Sequence, residues 1–499
     1  MSVSESHQRD AIRAVMDRAG LTTEDVWVRY FALGGDADPV ELDLFLDGLG
    51  TLPPLQRDVV ASVVNEALDE IAPAARAPYV RRGREPARDA GALPSLVELL
   101  RGAHLAPPDR LARVVDRAAG ALGVRAVLYL VDYGGTRLAP VVGGAHADDR
   151  TPLSLHGTLA GRAFRMLDPQ ESTSDGHARV WVPVLDGVER LGVLDVLVPD
   201  ALALEDPALR EQCWWFAHYL GHVLTGLSRY GDGLDAVRRS ERRTVAAELV
   251  WQLLPPLTSG TDRVLVSGRL EPSSSVGGDV FDVALSEEHA HVAIFDATGH
   301  DLGAGLVAAT AVSAYRNARR EGRSLFDQAQ AVHTALVDQF GGSTFATGVV
   351  ARLDLFTGRL RYVAAGHPYP LVLRDGRVVR TLRDGRRTLF GLEATHVSVG
   401  EEQLEPGDVL VLYSDGITEA RDAHGVPFGV EGLRGYLERQ SGTGTPLPEV
   451  VRRLCTEILA RQRGVLQDDA TLVLVHWTTE GQLRLDPRPG RGSVDVLGV

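Results

Sequence analysis

Between residues 262 and 477, short apolar runs rich in Val, Leu and Ile alternate with longer stretches of helical period. Short runs of this kind suit strands, and longer amphipathic stretches suit helices. Strands are expected over 264–270, 280–285, 290–296, 346–353, 359–364, 371–374, 378–382, 409–413 and 471–476. Helices are expected over 304–320, 325–340, 430–439 and 448–463. The turn Arg374-Asp375-Gly376-Arg377 is a hairpin signature. Hairpins combined with paired helices favour an α+β sandwich of antiparallel sheets over a doubly wound parallel sheet.

The remainder of the 499 residues divides by composition. Residues 1–72 read as a small helical domain: Val59, Val60, Val63, Val64, Ala67, Leu68 and Ile71 fall at helical spacing after the break at Pro53-Pro54. Residues 73–92, rich in Pro, Ala, Gly and Arg, read as a linker. Residues 93–227 open with a helix carrying Leu111, Val114, Val115 and Ala118. Strand-like runs follow over 126–131, 139–142, 180–184 and 191–198, the last two joined by a hairpin at Asp186-Gly187-Val188-Glu189-Arg190, and a helix over 207–227 closes the unit. Residues 228–256 read as one connecting helix ended by Pro255-Pro256, and 257–477 as the last domain. The polar, Gly/Pro-rich stretch 478–499 is expected to be a disordered tail.

Composition excludes several classes. A formal net charge of −15 disfavours nucleic acid as a partner. The two cysteines, Cys213 and Cys455, lie far apart and outside any Cys/His metal spacing, which disfavours a disulfide scaffold or a thiolate zinc site. No apolar run reaches the length of a membrane span, and Met1 to Asp10 lacks the apolar core of a signal peptide, so a cytoplasmic location is expected.

Chemistry concentrates in four acidic segments: Gly277-Gly278-Asp279, Asp296-Ala297-Thr298-Gly299-His300, Ser414-Asp415-Gly416 and Asp468-Asp469-Ala470-Thr471. Each acid abuts an apolar run and sits beside Gly or a small residue. Asp-Gly is also a common turn pair, so a single one would say little. Four together, three of them against strands that would be central in a sandwich, imply something to neutralise them, because an unpaired buried carboxylate is costly. Hard oxygen ligands of this type favour Mg²⁺ or Mn²⁺ over zinc.

Residues of about 244–477 closely resemble the SpoIIE/RsbU-type branch of the metal-dependent type-2C (PPM) phosphatases. The resemblance is carried in order by Leu253-Leu254-Pro255-Pro256, Val276-Gly277-Gly278-Asp279-Val280-Phe281-Asp282, Asp296-Ala297-Thr298-Gly299-His300, Ala365-Gly366-His367-Pro368, Leu412-Tyr413-Ser414-Asp415-Gly416-Ile417-Thr418-Glu419-Ala420 and Asp468-Asp469-Ala470-Thr471-Leu472. It implies a catalytic αββα sandwich, two Mn²⁺ or Mg²⁺ ions, and dephosphorylation of phosphoserine or phosphothreonine on a protein, commonly an anti-sigma-factor antagonist in a bacterial partner-switching pathway. By the same resemblance Asp279 is a ligand of one metal. Asp296 is the bridging carboxylate, the Ala297 carbonyl is a further ligand, and Asp415 and Asp468 hold the other metal; Asp469 stands behind them. Many relatives have Gly where this chain has Ala297 or Asp301. The Ala297 carbonyl is still available, and Asp301 is expected to cap the following helix. No phosphate-gripping Arg is identified. His300, next to the metal-binding acids, is the candidate proton donor to the leaving oxygen, and His367 is a weaker one.

Residues 93–227 resemble a GAF domain by pattern, implying a sensor for a small-molecule or protein signal, and the connecting helix gives a surface for a homodimer. Two rival functions remain open on the sequence: a silent phosphatase-like scaffold and a phosphatase of small phosphoesters. Two apparent motifs carry nothing. Gly303-x-Gly305-x-x-Ala308 starts too far after its strand to grip a dinucleotide, and His218 and His222 lack the Glu of a zinc protease between them.

Overall fold

The computed structural model describes residues 5–33, 35–69, 93–144, 150–174, 177–272, 274–275, 277–299, 301–392, 397–464 and 466–478. They fall in two compact units, Met1–Ala90 and Gly91–Val499. The expected linker, and the expected tail beyond Thr478, lie outside the described residues.

The first unit is helical: Glu5–Ala19, Thr23–Ala32, Pro39–Leu46 and Pro54–Asp69. Reciprocal capping boxes start two of these helices, Thr22 with Asp25 and Asp38 with Glu41. Ile12, Val26, Leu42, Phe45, Val60 and Val64 form its core. Buried Tyr30 uses its hydroxyl to accept from the amides of Asp36 and Ala37 at 3.2 and 3.1 Å.

The second unit begins with a six-stranded antiparallel sheet. Its order is Leu153–Ser154, Arg137–Pro140, Arg125–Val131, Glu189–Val198, His177–Asp186 and Gln170–Ser174. The period of two along Arg125–Val131 sends Ala126, Leu128 and Leu130 to one face and Val127, Tyr129 and Val131 to the other. Helices Leu111–Ala121 and Pro207–Leu227 cover the first face, and Leu159–Met166 covers the second.

The expected single connecting helix is two short ones, Gly233–Arg238 and Val245–Leu253. Contacts at the end of the first helix and just before the second flank the break. Arg238 donates from Nε to the Val131 carbonyl at 3.1 Å, and the Arg243 guanidinium lies 3.9 Å from the Tyr133 ring centre and 4.6 Å from that of Trp251. Thr244 then restarts the helix by accepting from the Ala247 amide at 3.1 Å. The buried face of the second helix, Ala247 and Val250, packs into the core under helix Leu302–Arg320 of its own chain.

Two further sheets complete the unit. One orders Arg386–Arg387, Arg359–Ala365, Ala346–Asp354, His289–Ala297 and Asp279–Leu285, with Gly400–Gln403 also paired to Arg359–Ala365. The other orders Arg377–Thr381, Leu371–Arg374, Val409–Tyr413, Ala470–Trp477, Val264–Glu271 and Thr258–Gly260. All pairs are antiparallel except Arg386–Arg387 beside Arg359–Ala365. Phe281, Ile294 and Val349 meet Val266, Leu412 and Val473 between the sheets. Helices Leu302–Arg320 and Leu325–Phe340 cover one outer face, and Gly429–Gln440 and Leu447–Arg461 the other. This is the αββα sandwich that the resemblance implies. Among the described residues no helix is long and apolar enough to cross a membrane.

The first sheet of the unit meets the sandwich through arginine. Arg269 donates to the Gly134 carbonyl at 2.7 Å, and buried Arg452 to that of Gly135 at 3.3 Å. Arg452 also grips the fully buried Glu449 carboxylate with two bonds, 2.8 and 2.9 Å.

Candidate metal centre

Strand pairing places the first two acids. In the antiparallel pair of His289–Ala297 with Asp279–Leu285, Asp296 stands directly opposite Asp279. The Ala297 amide donates to the Gly278 carbonyl at 3.0 Å, closing the end of the pair. Asp415 begins the short helix Asp415–Thr418 at the end of strand Val409–Tyr413. Asp468 and Asp469 immediately precede strand Ala470–Trp477, the neighbour of Val409–Tyr413. One strand end from each of four segments therefore delivers acid to the same end of the sandwich.

Hydroxyls and backbone amides hold these acids. Thr471 donates to Asp279 Oδ2 at 2.6 Å. Asp469 Oδ2 accepts from the amides of Gly277 and Gly278 at 2.9 and 2.7 Å, and more weakly from that of Asp279 at 3.3 Å. Thr347 Oγ1 lies 3.5 Å from Asp296 Oδ2 and 2.7 Å from His367 Nδ1. If the threonine hydroxyl donates to Asp296, it accepts from an Nδ1–H on the ring.

The electrostatics is that of negative charge without a counter-ion. Burial raises Asp279 well above the usual carboxylate range, and the charges of Asp296 and Asp469 raise it further. Burial, then Asp415, Asp468 and Asp469, push Asp296 up to about 7. Asp415 is raised by burial, Asp468 and Glu419, and Asp469 by burial despite its three amide donors. Among the described residues, no arginine is among the main influences on these four acids, and Arg316 and Arg319 pair with Asp282. Buried oxygen donors that raise one another in this way fit a hard divalent cation. Among the described residues no three acidic, His or Cys side chains stand in a closed ligand geometry. The acids thus share a neighbourhood rather than a finished cage.

The structure brings together the sequence candidates Asp279, Asp296, Asp415 and Asp468, with Asp469 behind them. The Ala297 carbonyl also points into this end of the fold, 2.6 Å from where a Cβ on Gly278 would stand. Asp301 caps helix Leu302–Arg320 by accepting from the Ala304 amide at 3.1 Å, as the sequence suggests. His300 lies outside the described residues. Burial drives His367 down to about 3, so its imidazole is neutral near pH 7, which suits a partner of Thr347 better than a proton donor. Sequence reasoning gave no role to the Thr347 hydroxyl, which belongs to no acidic pattern, or to that of Ser414, which stands in one.

The family model for stage II sporulation protein E (SpoIIE) matches residues 286–478. Over this stretch the chain is similar to SpoIIE-family phosphatase domains. The SpoIIE match begins after Asp279, so the first acid is placed by strand pairing alone. Protein IcfG of Synechocystis sp. is 20% identical over 274 residues, 49% of this chain and 42% of its own length. Phosphoserine phosphatase RsbU of Bacillus subtilis is 23% identical over 291 residues, 54% of this chain and 81% of its own. The chain thus spans less than half of the first relative and most of the second. Among solved structures, the SiaA-PP2C domain of Pseudomonas aeruginosa aligns with a TM-score of 0.40 at 20% identity, covering 46% of this chain and 94% of that one.

Proposed function

We propose that this chain is a metal-dependent phosphoserine/phosphothreonine protein phosphatase of bacterial signalling, acting on an anti-sigma-factor antagonist. The observation that carries this is the convergence of acids from four segments at one end of the sandwich, each raised by burial and by its acidic neighbours. Asp279, Asp296, the Ala297 carbonyl, Asp415 and Asp468 would hold two Mn²⁺ or Mg²⁺ ions. Such a pair, when bound, neutralises a phosphoester's charge and acidifies the attacking water. The chain's own contribution is placement. The register of Asp296 against Asp279 sets two carboxylates side by side, Thr471 fixes the rotamer of Asp279, and Thr347 steadies Asp296. His300 is assigned the proton to the leaving oxygen.

The name phosphoserine phosphatase borne by the Bacillus relative supports the substrate class. By the GAF-like reading, 93–227 would take a small-molecule or protein signal, and a homodimer through the connecting segment would have to use residues other than the packed Ala247 and Val250. The test is Mn²⁺-dependent phosphate release from a phosphoserine protein beside a small aryl phosphate. Turnover strongly favouring the protein supports the proposal. Preference for the small ester contradicts the substrate assignment, and turnover of neither contradicts the enzyme reading in favour of a silent scaffold.

A further inference from the structure

We infer that Asp469 is the positioning residue of the metal centre: one amino acid that locks three acid-bearing segments together. This rests on the metal-centre reading above and extends it to a residue that the proposed ligand set leaves out. The side chain and carbonyl of Asp469 reach two other segments, and its amide reaches the neighbouring Asp468. Its Oδ2 accepts from the consecutive amides of Gly277 and Gly278, 2.9 and 2.7 Å, in the loop that ends at Asp279. Its carbonyl accepts from Ser414 Oγ at 3.2 Å, in the residue before Asp415, and the same Oγ accepts from the Thr471 amide at 2.9 Å. Its own amide donates to Asp468 Oδ1 at 2.9 Å. The side chain is buried, only 5% of the residue being exposed.

The Oδ2 environment is that of a structural anchor. Its lone pairs are occupied by N–H donors, whose partial positive charge disfavours a cation at the same oxygen. Two glycines make the close fit available. A Cβ on Gly416 would stand 1.9 Å from the Asp469 carbonyl oxygen, and one on Gly278 would stand 2.6 Å from that of Ala297. Residues that orient metal ligands without binding the ion typically change metal affinity by about 10–100-fold when removed.

The experiment compares Asp469→Ala with Asp469→Asn in the full chain, with two readouts. Amide hydrogen exchange over residues 277–279 in metal-free protein reads the tether itself. Mn²⁺ titration followed by electron paramagnetic resonance reads its consequence. An Asn side chain retains a carbonyl oxygen for the Gly277 and Gly278 amides. The expected result is lost protection and about 10–100-fold weaker Mn²⁺ binding in Asp469→Ala, with both largely retained in Asp469→Asn. If Asp469→Asn loses Mn²⁺ as fully as Asp469→Ala while residues 277–279 stay protected, Asp469 is a ligand and the inference fails. It fails also if Asp469→Ala matches wild type in both readouts. Wild type that binds no Mn²⁺ would instead contradict the metal reading, and the exchange data would then decide the tether alone. Should Asp469→Ala not fold, Ser414→Ala removes the second strut, and unchanged Mn²⁺ affinity there would overturn the inference.

Discussion

Gly278 packs beneath two carbonyl oxygens at the rim of the acidic cluster. A Cβ there would stand 2.6 Å from Ala297 O and 2.7 Å from Gly299 O, closer than van der Waals contact allows. Gly278→Ala is therefore expected to displace the Ala297 carbonyl and weaken Mn²⁺ binding at least tenfold while far-UV circular dichroism stays unchanged. Normal binding by this variant would mean that the carbonyl is not part of the site. At this scale the sequence is most informative about acids. Asp279, Asp296, Asp415 and Asp468 each end an apolar run beside a small residue, and such placement needs a reason. The hydroxyls escape notice because Ser and Thr are ordinary strand residues. Nothing local marks Thr347 as the neighbour of Asp296, and the bond from Gly277 to Asp469 spans 192 positions.

Among the elements, long periodic ones are legible and short ones are not. Helix Leu325–Phe340 and strands Ala346–Asp354 and Val409–Tyr413 lie within a residue of where the apolar pattern puts them. Arg386–Arg387, Gly400–Gln403 and helix Asp415–Thr418 are too short to show a period and exist through their neighbours. The connecting segment misleads because its apolar residues do hold helical spacing, whereas tertiary contacts of Arg238 and Arg243 interrupt it. Helix Leu447–Arg461 misleads differently. Glu449 stands i,i+3 and i,i+4 from Arg452 and Arg453, a spacing common on exposed helix faces. In the fold Glu449 is fully buried, with Arg190 and Arg165 also within 3.6 and 3.9 Å. Burial alone would raise its carboxyl, but Arg452, Arg190 and Arg453 together outweigh that and hold it below its ordinary value. The chain contains no lysine, and the fork of arginine suits this shared carboxylate. Arg452→Ala should destabilise the protein by about 3–5 kcal/mol, the usual cost of stranding a buried charge. Chemical denaturation measures it, and a change below about 1 kcal/mol would show that the remaining arginines suffice.

For the molecule as a whole, the junction between the six-stranded sheet and the sandwich is where conditions should register. Glu189 opens its strand at that junction, where its carboxylate accepts from the Thr258 amide, and burial pushes it up to about 7. Because the folded value lies above the ordinary 4.5, the folded state holds a proton that the unfolded chain releases. The resulting stability is fully present below about pH 4.5 and is lost as pH rises through about 7, amounting to at most about 3 kcal/mol. Thermal unfolding from pH 5 to 8 should therefore show a falling midpoint that Glu189→Gln flattens. Equal slopes in both proteins would remove Glu189 as the cause. This junction is not legible in the sequence, since it pairs residues such as Arg452 and Gly135 across 317 positions.

The most direct test of the metal-dependent phosphatase reading is phosphate release from a phosphoserine protein across a Mn²⁺ titration, for wild type, Asp296→Asn and Asp415→Asn. The account predicts turnover that requires Mn²⁺ in wild type and falls at least a hundredfold in each variant. Turnover that persists in either variant, or in wild type stripped of divalent ions, would contradict it.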